Sequence, residues 1–117
     1  MAERKWSIRL GAAAELDFAA ILKWTTENFG SGQSQIYRDT LVRAIRELAD
    51  GPDVPGSKAR DDILPGLRTL HVARRGRRGR HFLLYRTQGR IIEIIRILHD
   101  GMDLRRHLPH LKEERSE

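Results

Sequence analysis

Trp6-Ser7-Ile8-Arg9-Leu10 alternates apolar and polar residues, the period of a half-buried strand. Gly11 ends the alternation, and from Ala12 the period lengthens. Ala14, Phe18, Ile21, Thr25 and Phe29 recur at steps of four, three, four and four, which predicts a helix with one buried stripe. Asn28-Phe29-Gly30 closes this helix, because glycine suits a left-handed cap. Ser31 is placed to cap a second helix through its hydroxyl. In that helix Tyr37, Leu41, Ala44 and Leu48 form the stripe, with Ile45 beside it, and Asp50-Gly51-Pro52 stops it. A connection of about three residues forces the two helices into an antiparallel hairpin.

Residues 51–66 are a connection rich in proline, glycine and aspartate. Alternation returns over Leu67–Val72. A basic turn follows, Arg74-Arg75-Gly76-Arg77-Arg78-Gly79-Arg80, and then a strand from His81 to Arg86. Gln88-Gly89 predicts a tight turn, and Ile91–Leu98 is the most β-prone stretch of the chain. The order β-α-α-β-β-β predicts an α+β fold: an antiparallel sheet with the helical hairpin on one face and a short C-terminal helical turn near 103–108. Phe18, Ile21, Leu41, Leu48, Leu84, Ile94 and Leu98 are expected to be buried. On the last strand, strict alternation puts Ile92, Ile94 and Leu98 on one face and Ile91, Ile95 and Ile97 on the other. The hairpin can cover only one of these faces. The other calls for the segment from Met102 onward, or for another protein.

A chain of 117 residues has room for one domain, placed at 1–110 and followed by a charged tail at 111–117. With 39% hydrophobic and 32% charged residues it reads as globular rather than disordered. The absence of cysteine excludes disulfides and thiolate metal sites and suits a reducing, cytoplasmic setting. No apolar h-region follows Met1, so no signal peptide is expected. Glu93 and Arg96 interrupt the longest apolar run, which is too short to span a bilayer, so no membrane partner is expected. The net charge of +6 is unevenly placed. Residues 1–50 carry seven basic and seven acidic side chains, whereas 51–117 carry fifteen and nine. That excess suits an acidic partner, nucleic acid or an acidic protein segment, and equally a solvated basic face.

His107 and His110 have the spacing of two helix-borne metal ligands, but Pro109 lies between them and no further ligand stands at suitable spacing. No metal and no cofactor are expected. A nucleophile elbow is missing, and Gly76 and Gly79 are not followed by the helix that a phosphate loop requires. The basic turn can meet phosphates, meet carboxylates, or simply be solvated. Arg68, His81, Arg96 and His99 fall on the predicted sheet. Arginines there can hold a phosphodiester while a histidine moves a proton, as in a metal-free ribonuclease that uses the RNA 2′-hydroxyl. A clear general base is lacking: no lysine falls in 59–111, and Glu93 is the one acidic residue inside these strands.

Several segments together resemble the ParE-like branch of the RelE/ParE toxin–antitoxin superfamily. They are Asp17-Phe18 with Ile21 and Trp24; Phe29-Gly30 with Gln33 and Tyr37; Pro65-Gly66-Leu67-Arg68; and Gly79-Arg80-His81 with Tyr85-Arg86. The most specific is the run from Glu93 to His99 continuing into Met102-Asp103 and Arg106-His107-Leu108. The resemblance spans residues 6–108. It implies a toxin neutralised by a small cognate ParD-like antitoxin, with plasmid or genome-segment maintenance as the broad role. RelE-like relatives cut mRNA on the ribosome, whereas ParE-like members are associated with poisoning DNA gyrase and lack most of the catalytic set. Arg68 and Arg96 match shared positions, and His99 stands near the place of a catalytic tyrosine or histidine. The resemblance favours binding of gyrase over bond breaking. A ribosome-dependent endoribonuclease, direct nucleic-acid binding and a non-toxic antitoxin-binding module remain the alternatives. Contacts to target or antitoxin are expected from Arg68, Arg80, Arg86, Arg96, His99, Met102, Asp103, Arg106 and His107. The resemblance assigns no role to the inserted basic tip at 74–78.

Overall fold

The computed structural model describes residues 6–104. Strand β1 (Ser7–Leu10) leads into helices α1 (Ala12–Phe29) and α2 (Ser31–Glu47), and a short 3₁₀ turn (Leu48–Asp50) ends the hairpin. Strands β2 (Lys58–Ala59), β3 (Arg68–His71), β4 (His81–Gln88) and β5 (Ile91–His99) follow. The α+β class and the expected order hold, with the two-residue β2 added from inside the 51–66 connection. No described helix is long and apolar enough to cross a membrane.

The sheet order is β1-β5-β4-β3-β2. Strands β2 to β5 pair antiparallel, but β1 lies parallel to β5, with Ser7 opposite Ile91 and Leu10 opposite Ile94. The sheet is therefore mixed rather than wholly antiparallel. Two helices and three strands separate β1 from β5, which gives the chain the length a parallel return needs. The helix connection is also tighter than expected. Gly30 alone ends α1 and starts α2, at φ 92° and ψ 165°, a conformation open to glycine. Ser31 is thus already helical, and its side chain makes no capping bond.

Apolar residues cover both faces of the sheet. On the helix side, Ala14, Leu41, Ala44 and Leu48 meet Leu70, Val72, Leu83, Tyr85, Ile92, Ile94 and Ile97. On the opposite face, Ile63 and Leu67 close over Leu84 and Leu98, joined by Leu104 and the partly buried Met102. The 60–67 segment therefore shares the covering of the second face with Met102 and Leu104. It is held by Ile63 N–H donating to the Arg60 carbonyl at 2.9 Å and by Gly66 N–H donating to Asp61 Oδ1 at 2.8 Å.

A bulge changes the facing of β5. Leu84 pairs with Arg96 and Tyr85 with Ile94, so Ile95 is the extra residue. Beyond it the alternation is shifted by one, and Ile97 rather than Leu98 joins Ile92 and Ile94 under the helices. Of the residues expected to be buried, Leu41, Leu48, Leu84, Ile94 and Leu98 are. Phe18 and Ile21 are only half-buried, and Phe29 is 64% exposed. Helix α1 packs on α2, β5 and the edge strand β1.

Candidate functional site

Helix α2 and the β3–β4 turn meet through Tyr37. Its Oη accepts a hydrogen bond from Arg80 N–H at 3.0 Å and lies 2.7 Å from His81 Nδ1. Burial, reinforced by the nearby His99, pushes the His81 pKa down to about 4, so this ring is neutral at physiological pH. Burial also raises the Tyr37 pKa. His81 and His99 are register partners on β4 and β5, their rings edge to face at 5.4 Å. His99 Nδ1 accepts from Gly101 N–H at 3.0 Å. Beside them Asp100 binds His71 Nε2 at 2.9 Å and Arg80 Nε at 3.3 Å. The His71 hydrogen bond first, then the Arg80 guanidinium, hold its carboxyl below the usual carboxylate range.

Tyr37, Arg80, His81 and His99 form one wall of an open groove of about 920 Å³ between the helical hairpin and the β3–β4 turn. The other wall is apolar. Trp24 and Phe29 stand edge to face at 5.7 Å, and Trp24 is 58% exposed. No described residue lining the groove is acidic, while Arg77, Arg78 and Arg80 rim it.

The basic tip is folded back on the protein. Arg74 Nε meets Glu47 at 2.7 Å and its Nη2 donates to the Pro55 carbonyl at 2.7 Å. Arg75 shares Glu47 at 3.0 Å, and Arg77 meets Asp39 at 3.0 Å.

The sequence candidates do not converge on one centre. Only His81 and His99 come together, with Arg80 beside them. Arg96 gives both Nε and Nη2 to Asp17 at 2.8 and 3.0 Å. Arg68 donates to the Pro52 carbonyl at 2.9 Å and to Ser57 Oγ at 2.7 Å. It pairs in register with Tyr85, four residues along β4 from His81, a separation of about 13 Å at the usual strand rise. Arg86 is bound to Glu93 at 2.9 Å. Met102 packs on the second face of the sheet and Asp103 is exposed. Arg106 and His107 lie outside the described residues, as does most of the expected turn at 103–108. Among the described residues no group of three or more histidine, aspartate or glutamate side chains can hold a metal ion.

Sequence reasoning did not single out Trp24, Tyr37 or Asp17 as site residues. Asp17 carried a signal: a carboxylate one position from the apolar stripe of α1, beside Phe18, needs a partner when the helix packs.

The chain is a small mixed sheet under a two-helix hairpin, with a groove between hairpin and β3–β4 turn. The family model for the ParE toxin of the type II toxin–antitoxin system parDE matches residues 8–104. Toxin ParE1 of Mycobacterium tuberculosis is 34% identical over 100 residues, covering 85% of this chain and 94% of that one. The chain belongs to the ParE toxin family of type II toxin–antitoxin systems. Its fold is similar to a chain of the chromosomal ParDE system of P. aeruginosa, with a TM-score of 0.64 and 22% identity, over 83% of this chain and 98% of that one. The YoeB dimer of Staphylococcus aureus shares the fold more distantly, at TM-score 0.53 and 14% identity, over 79% and 93% of the two chains.

Proposed function

We propose that this toxin acts in the cytoplasm by binding DNA gyrase, without breaking bonds, and that a cognate ParD-like antitoxin encoded beside it neutralises it. Maintenance of the plasmid or genome segment that carries the pair follows as the broad role. The observation that carries the reading is the use made of the charged residues. A phosphodiesterase needs Arg68 and Arg96 on its substrate, yet one is spent on Pro52 and Ser57 and the other on Asp17. His81 is neutral and already engaged with Tyr37. What remains available is surface: the Trp24–Phe29 edge and the basic rim. Such surface supports association rather than acid–base chemistry.

The test combines two readouts. The purified toxin is added to a gyrase supercoiling assay, and mRNA from induced cells is mapped by primer extension. Inhibited supercoiling with intact mRNA is the expected result, and His99→Ala is expected to retain that inhibition. Site-specific mRNA cuts with supercoiling unaffected, lost by ~10²–10⁴-fold in His99→Ala, would establish the ribonuclease alternative instead. The part played by the C-terminal segment is best read from Arg106→Glu and His107→Ala. A deletion after Asp100 would also strip Met102 and Leu104 from the second face of the sheet.

A further inference from the structure

We propose that the crevice between the C-terminal half of α2 and the basic tip binds a di- or triphosphate group, held by Arg43, Arg46 and Arg75. The crevice encloses about 560 Å³ and shares only Arg77 with the groove described above. It is separate from the surface to which the gyrase reading appeals.

The first feature is backbone strain at the tip. Arg77 N–H donates to the Arg74 carbonyl at 3.0 Å, and the two residues between them have positive φ, 54° at Arg75 and 83° at Gly76. That is the pattern of a type I′ turn, whose central positions favour glycine, asparagine or aspartate. Arg75 is the one non-glycine residue with positive φ among the described residues. Its Cβ makes that conformation costly. The ion pair with Glu47 does not account for it, because Arg74 already meets that carboxylate at 2.7 Å and the Arg75 pair lies out in solvent. An arginine here serves neither the turn nor the fold, and strain of this kind collects at binding sites.

Charge is the second feature. Five guanidinium groups line the crevice against three carboxylates, a surplus of two positive charges. Two of the carboxylates are shared. Glu47 takes Arg74 and Arg75, and Asp39 takes Arg77 and Arg43. Each pair has an inner and an outer member: the Arg74 and Arg77 side chains are 15% and 29% exposed, those of Arg75 and Arg43 67% and 60%. The inner arginines keep the carboxylates neutralised while the outer ones turn to an anion. Arg46 lines the same crevice, is exposed and makes no ion pair among the described residues.

Geometry selects the anion. Arg43 and Arg46 come from the helix and Arg75 from the facing turn, so donors reach the crevice from two sides. A planar carboxylate is met by one guanidinium fork, whereas a phosphate chain carries oxygens for several. The volume falls within the ~300–1,000 Å³ of small-molecule sites, with room for more than one phosphate. None of the described residues lining the crevice is aromatic, so a base finds nothing to stack on. The ligand is therefore recognised by its phosphates alone, whether as free polyphosphate or as the tail of a nucleotide.

The experiment titrates the purified full chain by calorimetry in phosphate-free buffer at about 0.1 M salt. Tripolyphosphate, ATP and GTP are the probes, and all three are expected to bind with similar affinity. Arg46→Gln and Arg75→Asn should each weaken tripolyphosphate binding by ~10-fold or more, the size of one hydrogen bond between charged groups. Lys23→Gln, which removes the same charge from α1 outside the crevice, should leave affinity within about twofold. Arg75→Asn should also raise the thermal midpoint, because asparagine tolerates the left-handed region. An arginine kept for the fold would lower the midpoint when replaced, and that result with unchanged binding would overturn the proposal. Equal weakening by Lys23→Gln and Arg75→Asn would reduce the effect to overall charge and overturn it too. Binding of ATP or GTP without binding of tripolyphosphate would show that a base is read, against recognition by phosphates alone. Displacement of tripolyphosphate by a short DNA duplex at far lower concentration would assign the crevice to a nucleic-acid backbone instead. No binding of tripolyphosphate at millimolar concentration would overturn the site outright, and inhibition of supercoiling would stand in every case.

Discussion

Removing the Asp17 carboxylate tests whether Arg96 is a structural residue. The carboxylate accepts Arg96 Nε and Nη2 at 2.8 and 3.0 Å and the Ile97 backbone N–H at 2.9 Å. The reason lies in topology. Strand β1 leaves the sheet at Gly11, whose N–H still reaches the Ile94 carbonyl at 2.9 Å. From there the exposed edge of β5 has no neighbouring strand, and Asp17, one turn into α1, supplies the missing acceptor. Asp17→Ala removes all three bonds and leaves a backbone donor and a guanidinium without that partner. A hydrogen bond to a charged group contributes ~1.5–3 kcal/mol. The two side chains retain 17% and 27% exposure, so solvent screens part of this. The expected loss is about 2–4 kcal/mol, a large share of the roughly 5–15 kcal/mol typical of such a domain. In urea, with a slope of about 1.5 kcal/mol per molar, the midpoint should fall by ~1–3 M at constant slope. Asp17→Asn should fall in between, since its carbonyl can still serve Ile97. Arg96→Met combined with Asp17→Ala should cost less than the two single changes summed, with a coupling of ~1–2 kcal/mol. A loss below ~0.5 kcal/mol for Asp17→Ala, or a coupling near zero, would refute the reasoning and return Arg96 to the pool of functional arginines.

Four further outcomes follow from the same geometry. Because the folded protein lowers the His81 pKa from 6.5 to about 4, it takes up fewer protons there than the unfolded chain between those values. The His81 contribution is thus fully present above pH 6.5 and is lost as pH falls toward 4. Thermal melts should show a steeper drop in Tm from pH 7 to 4.5 for the wild type than for His81→Asn, whose amide can still hydrogen-bond but does not titrate; parallel curves would contradict the assignment. Gly79→Ala should cost ~1–3 kcal/mol by chemical denaturation, since the new methyl group overlaps Val72 and crowds Tyr37. Tyr85→Phe should cost only ~0.5–1.5 kcal/mol, because Arg68 still donates to the Pro52 carbonyl after the tyrosine hydroxyl is gone; Leu41→Ala, at a fully buried position, should cost ~2–5 kcal/mol in the same assay.

The parts legible in the sequence are those set by local pattern. Leu41, Ala44 and Leu48 recur at helical spacing, and burial follows from that spacing whichever neighbours are present. The parallel pairing of β1 with β5 is not local: nothing in Ser7–Leu10 distinguishes a parallel partner from an antiparallel one. The Ile95 bulge is likewise silent, because a run of isoleucines fits either phase of the pleat, and only the partner strand decides which residues turn inward. The 60–67 segment hid its role because its apolar residues, Ile63, Leu64 and Leu67, have no regular period, yet they share in covering a sheet face.

The site repeats this division with a consequence for function. Sequence reading gathers the arginines and histidines by type, and type alone makes Arg68, Arg96, His81 and His99 look like one centre. The folded chain separates them by what each touches. Arg96 braces the Asp17 carboxylate that completes a strand edge, Arg68 anchors the Pro52 turn, and the neutral His81 ring is hydrogen-bonded to Tyr37. The basic tip divides in the same way, because Arg74 and Arg77 hold it to Glu47 and Asp39. A chain with a surplus of six positive charges thus offers, along this groove, a single exposed arginine without an ion pair among the described residues, beside two exposed aromatic rings. One charge next to an apolar ridge discriminates between partners poorly through long-range attraction, which salt screens within about 10 Å. It discriminates well through contact, where a carboxylate must arrive together with an apolar stripe at one fixed spacing.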